Sequence, residues 1–74
     1  MKLYTKTVCP KCLWVKSELE QAGLAADVVN LDDNQEAMEK MTGAGFSSVP
    51  ILEVEGELIG SVPAILVKIR KMVK

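Results

Sequence analysis

The sequence predicts an α/β fold: a four-stranded mixed sheet flanked by three helices, in the order β-α-β-α-β-β-α, built as a single domain over residues 1–74. Three observations carry that expectation. Strand-like and helical periodicities alternate along the chain. A two-residue turn signal, Glu55-Gly56, separates two short apolar runs near the end and marks a hairpin. Seventy-four residues leave room for one small core and no more, and a single sheet with helices packed on it is the economical way to build one.

The elements follow in order. Lys2 to Thr5 alternates polar and apolar residues and opens the sheet. From Cys9 the period changes: Cys12, Val15, Leu19 and Ala22 recur at helical spacing, and Gly23 stands where a C-cap glycine belongs. Ala26 to Leu31 is a β-branched run that reads as a buried strand, parallel to the first because a helix joins them. A second helix begins in "DDNQEAMEKM", with Asp33 and Glu36 matching a capping box and Ala37 and Met41 giving its apolar stripe. Met38 and Met41 are expected to fill core space. "TGAGFSS" ends that helix, and "VPILEV" and "ELIG" form the antiparallel hairpin. Ser61 is placed to cap the last helix, with Pro63 in its first turn and Val62, Ile65, Leu66, Ile69 and Val73 on one face.

Composition narrows the function classes. The chain is 49% hydrophobic and 26% charged with a net charge of −1, so bulk electrostatics suggest neither nucleic-acid nor membrane binding. "MKLYTKTV" lacks an apolar core long enough for export and no run reaches a membrane span, so a soluble, cytoplasmic monomer is expected. All acidic residues lie between Glu18 and Glu57, whereas lysines and Arg70 crowd the two ends. One basic face would result if the ends met; otherwise the terminal cations complement a helix dipole.

The two cysteines stand three residues apart in "YTKTVCPKC", at the seam between the first strand and the first helix. A structural bridge over so short a loop would contribute only roughly 2 kcal/mol, against about 3 for a fifteen-residue loop. A closed zinc site needs four ligands, and the chain has no histidine and no third cysteine. Cys9 and Cys12 could then serve a metal or iron-sulfur carrier only by sharing the site between two chains. The redox alternative uses every local feature. Cys9 falls at an N-cap, Pro10 at the first helical position and Cys12 one turn inside. A thiolate at Cys9 would face free amides and the positive end of the helix, with Lys6 and Lys11 nearby, while Cys12 on the apolar stripe would stay protected. Thiol–disulfide exchange requires that asymmetry, and C-x-x-C beside a β-α-β pattern is its sequence signature.

"YTKTVCPKC", followed by "SVPIL" and then "GELIG", resembles the glutaredoxins, whose architecture is a minimal thioredoxin fold. The resemblance implies Cys9 and Cys12 as the catalytic pair and a cis peptide before Pro50, so that Val49 offers backbone groups to a substrate. It also implies substrate-facing roles for Lys6, for Pro10 and Lys11 inside the motif, and for Gly60 and Ser61 after the hairpin. No bound cofactor or metal is implied. Electrons would come from glutathione or from a flavoprotein, thioredoxin reductase, and pass to protein disulfides, ribonucleotide reductase among them.

Departures from the family pattern bear on the donor. Gly60 is followed by Ser61, Val62 and Pro63, without the acidic pair that meets the glutathione ammonium. Gly45, Phe46 and Ser47 replace a basic residue ahead of the proline, and Pro10-Lys11 replaces Pro-Tyr. These losses point towards glutaredoxin-like redoxins that thioredoxin reductase reduces, although the C-terminal aromatic-glycine motif of that subgroup is absent as well. Leu13 and Trp14 fall off the apolar stripe, so at least one should be exposed near the cysteines and able to dock a partner.

Overall fold

A computed structural model describes residues 1–73. Four strands and three helices follow the expected order: β1 (Lys2–Thr5), α1 (Pro10–Gln21), β2 (Asp27–Asn30), α2 (Gln35–Gly43), β3 (Ile51–Val54), β4 (Glu57–Ile59) and α3 (Val62–Met72). The sheet order is β2-β1-β3-β4, with β1 and β2 parallel and the other pairs antiparallel. Glu55 and Gly56 both take positive φ, 51° and 81°, as the tight hairpin turn requires. Among the described residues no helix is long and apolar enough to cross a membrane.

Strand alternation gives the sheet two apolar faces. Leu3 and Leu52, paired across β1 and β3, meet Val15, Leu19, Ile65 and Ile69 from α1 and α3. Tyr4 and Ile51, the next pair, meet Leu31 and Met41 on the α2 side, where Met38 packs half-buried. On this face the Tyr4 hydroxyl donates to Glu53, and Lys40 on α2 reaches the same carboxylate oxygen at 3.4 Å. Burial, with help from Glu53, raises the Tyr4 pKa, and the Tyr4 hydrogen bond lowers that of Glu53.

Two helices end in the same way. Ala22 closes α1; Gly23, at φ 73°, donates to the Glu20 carbonyl, and Leu24 donates to Leu19. After α2, Gly45 at φ 92° donates to Thr42, and Phe46 donates to Met41. Both are Schellman caps, and each drives the following apolar residue back onto the core. The second one delivers Phe46 to the loop before Pro50.

Three sequence expectations need correction. Ala26 to Leu31 is not a buried strand: β2 covers Asp27–Asn30 at the sheet edge, where Val28 is 48% exposed. A β-branched run fits a central or an edge strand equally well, and strand order is invisible in it. Asp33 does not cap α2. Its amide closes a turn on the Asn30 carbonyl, and Asn34 caps instead, accepting the Ala37 N–H at 3.0 Å. Glu36 then sits in the first turn, one position too early for a capping box, and serves the helix dipole. Val73 lies past the end of α3 with extended backbone and is exposed, because the helix stops at Met72. Of the two readings of the terminal cations, the helix-dipole one holds, and the two basic ends do not merge. Arg70 lies beside Glu18, Gln21 and Ala22 at the C-terminal end of α1, opposite the end that carries Lys11. Arg70 and Lys71 complement the last turn of α3 instead.

Candidate active site

The β1–α1 seam builds the site. Cys9 has extended backbone at the N-cap of α1, and Pro10 begins the helix without needing an amide partner. The Cys9 Sγ accepts the backbone N–H of Cys12 at 3.1 Å, taking the place a serine or aspartate oxygen has at other N-caps. The two sulfurs are joined as a disulfide, with Cα atoms 5.2 Å apart. Their environments differ: Cys9 is half-buried, whereas Cys12 is 3% exposed on the same face as Val15 and Leu19. No acidic side chain occupies the first turn of α1, so nothing there opposes negative charge on Cys9.

The segment ahead of Cys9 is tied to β2. Asp32 accepts the Thr7 N–H at 2.9 Å, and the Asn30 side-chain amide donates to the Thr7 hydroxyl at 3.3 Å. The Thr7 backbone and side-chain hydrogen bonds, with Lys6 adding, hold the Asp32 carboxyl below its ordinary pKa. Sequence reading missed Thr7 and Asp32; the only signal was the polar cluster "NLDD", which reads as an ordinary turn.

The Val49–Pro50 peptide bond is cis, and Pro50 is buried. Val49 lines a depression of about 50 Å³ with Lys6, Leu31, Met38 and Phe46. A second depression, about 110 Å³, contains Cys9 and Cys12 and again Lys6. Lys6 therefore stands between the proline loop and the cysteines. Pro10 and Lys11 are exposed on the first turn of α1 and line neither depression. Gly60 lines neither depression and packs against Phe46: a Cβ at Gly60 would collide with the Cε1 and Cδ1 atoms of that ring. Ser61 caps α3, its hydroxyl accepting the Ala64 N–H at 3.4 Å. Leu13 and Trp14 are both exposed, at 69% and 51%, and the Trp14 indole donates to Glu18. Among the described residues no group of three metal-ligating side chains converges.

The glutaredoxin family profile matches residues 1–59, and the cysteine pair and cis-proline fall inside the match. The chain belongs to the glutaredoxin family. It is a glutaredoxin-like dithiol–disulfide oxidoreductase with the pair Cys9 and Cys12. This glutaredoxin is 34% identical over 50 residues to the glutaredoxin-like protein NrdH of Lactococcus lactis, covering 68% of this chain and 69% of that one. It is 30% identical over 56 residues to NrdH of Escherichia coli, covering 76% and 68%. The glutaredoxin fold is matched by the solved structure of Escherichia coli NrdH-redoxin, described as having a thioredoxin-like activity profile. The TM-score is 0.79 at 24% identity, covering 86% of this chain and 87% of the other. A variant of a thioredoxin-like protein matches with a TM-score of 0.78 at 18% identity, over 97% and 95% of the two chains.

Proposed function

We propose that Cys9 is the attacking sulfur, Cys12 the resolving one, and thioredoxin reductase the electron donor. The observation that carries the assignment is the asymmetry of the pair. Cys9 Sγ receives an amide hydrogen bond at a helix N-terminus, which favours its thiolate, and Cys12 is buried behind it. The Cys9 thiolate attacks one sulfur of a substrate disulfide, forms a mixed disulfide and expels the other substrate sulfur as a thiolate. Cys12 then loses its proton and attacks Cys9 Sγ, releasing the second substrate thiol. Two electrons pass to the substrate and the Cys9–Cys12 disulfide remains, ready for two electrons from the donor. Val49, ahead of the cis-proline, pairs an extended substrate segment through its backbone, with Lys6 between that segment and the cysteines.

Two features favour the reductase over glutathione. Gly60, Ser61, Val62 and Pro63 offer no carboxylate to an ammonium group. Phe46, whose ring leans on Gly60, puts an apolar group where a basic one would serve a carboxylate. The thioredoxin-like activity profile ascribed to the Escherichia coli NrdH-redoxin supports the same donor, and ribonucleotide reductase is the physiological target we propose. A monomer in the reducing cytoplasm suits a pair that must be reopened after every turnover.

One assay tests the reading. Oxidised protein is supplied either with NADPH and thioredoxin reductase or with glutathione and its reductase. The first should restore both thiols and the second should be at least about tenfold slower; the reverse order overturns the donor assignment. Cys12→Ser should accumulate mixed disulfides and Cys9→Ser should be inert, and trapping by Cys9→Ser alone would reverse the two roles.

A further inference from the structure

The depression that contains the cysteines opens on the β2 side of Lys6, away from the proline loop, and the exchange chemistry does not use its outer wall. That wall is apolar and uncovered. Leu13, 69% exposed, and Val28, 48% exposed, face it, and Val8 beside it is 87% exposed. Its volume of about 110 Å³ is far below the roughly 300–1,000 Å³ of small-molecule sites. It accommodates one aliphatic side chain.

The rim is basic. Lys6 and Lys16 are the charged residues that line the depression. Among the described residues the ion pairs are Lys40–Glu53 and Lys68–Glu57, so neither Lys6 nor Lys16 is in a salt bridge, and Lys6 acts on the Asp32 carboxylate only from farther off. The nearby acids are otherwise engaged or displaced. Asp32 accepts the Thr7 N–H on the Lys6 side, Glu18 accepts the Trp14 indole on the other flank of α1, and Glu20 lies a turn beyond Lys16 without pairing to it.

We propose that this notch docks an acidic segment of the disulfide-bearing protein, one aliphatic side chain entering between Leu13 and Val28 and flanking carboxylates meeting Lys16 and Lys6. The inference rests on the exchange reaction described above and adds a preference to it: disulfides flanked by Asp or Glu and a Leu, Ile or Val are reduced faster than others. Desolvated aliphatic contact supplies the grip, and the unpaired lysines supply steering and the choice of charge.

The test uses reduced full-length protein and three peptides carrying the same intrachain disulfide, flanked by Glu and Leu, by Lys and Leu, or by Glu and Ser. Hydroxyethyl disulfide, small and neutral, is the reference substrate. The Glu/Leu peptide should be reduced about tenfold faster than either other peptide at low salt, and its advantage over the Lys/Leu peptide should shrink in about 0.5 M salt. Lys16→Glu should lower the ratio of Glu/Leu-peptide rate to hydroxyethyl disulfide rate by about tenfold, and Leu13→Ser should remove the preference for Leu over Ser. Equal rates for the Glu/Leu and Lys/Leu peptides, or an unchanged ratio in Lys16→Glu, overturn the docking site and leave the exchange reaction standing. A reduced protein inert towards hydroxyethyl disulfide and all three peptides would instead overturn the exchange reaction itself.

Discussion

Asp32, in the turn after β2, accepts the backbone N–H of Thr7 at 2.9 Å and so fastens the segment that delivers Cys9 to α1. The contact spans 25 positions in sequence and joins the edge strand to the site. Its carboxyl is held below the ordinary value by hydrogen bonds from Thr7, with Lys6 adding. A depressed carboxylate pKa contributes stability that is fully present above the unfolded-state pKa and is lost as pH falls through the folded one. Asp32→Ala should therefore lower the urea midpoint at neutral pH, and the difference from the parent should vanish at about pH 2. Asp32→Asn keeps an acceptor for Thr7 and should lie between the two. An Asp32→Ala deficit of the same size at both pH values would mean that the carboxylate charge contributes nothing.

The cap of α2 separates two adjacent residues that look interchangeable in sequence. Asn34 Oδ1 accepts the Ala37 N–H, whereas Asp33 belongs to the preceding turn. Asn34→Ala should destabilise the protein by about 1 kcal/mol, and Asp33→Ala by much less. Chemical denaturation of both variants at neutral pH measures the difference, and equal losses would contradict the cap assignment.

Gly60 and Phe46 form a contact with no spare room. A methyl group at Gly60 has to displace the Phe46 ring, which is half-buried against the α2-side core. Gly60→Ala should cost about 1–3 kcal/mol. In a Phe46→Ala background the same change should be close to neutral, so a double-mutant cycle on urea midpoints should give a coupling of similar size. Additive losses would place the strain elsewhere.

The parts legible in the sequence are those encoded by near neighbours. Cys12, Val15 and Leu19 share a helix face because of their spacing, and all three are buried. Gly23 closes α1 and Glu55-Gly56 turns the hairpin because only a few local backbone conformations satisfy those positions. The cysteine pair at a helix start, with Pro10 behind Cys9, was legible for the same reason. The cis bond before Pro50 was reached through the likeness of "SVPIL" to a family pattern and not from the residues themselves, since proline alone favours trans.

Other features lay out of reach. A run such as "ADVVNL" does not record which strand will lie beside it, so the edge position of β2 and the exposure of Val28 were hidden. Nor does "NLDD" reveal that Asp32 will bond Thr7.

By itself, the sequence determined the kinds and order of the elements and put two unequal thiols at the head of a helix, because periodicity, caps and turns act over a few residues. Tertiary structure alone decided that Lys6 would stand between the proline loop and the cysteines, and that Leu13 and Val28 would frame one notch. Those neighbours come from elements far apart in the chain. They meet only when both faces of one sheet are buried at once, and no local pattern carries that condition.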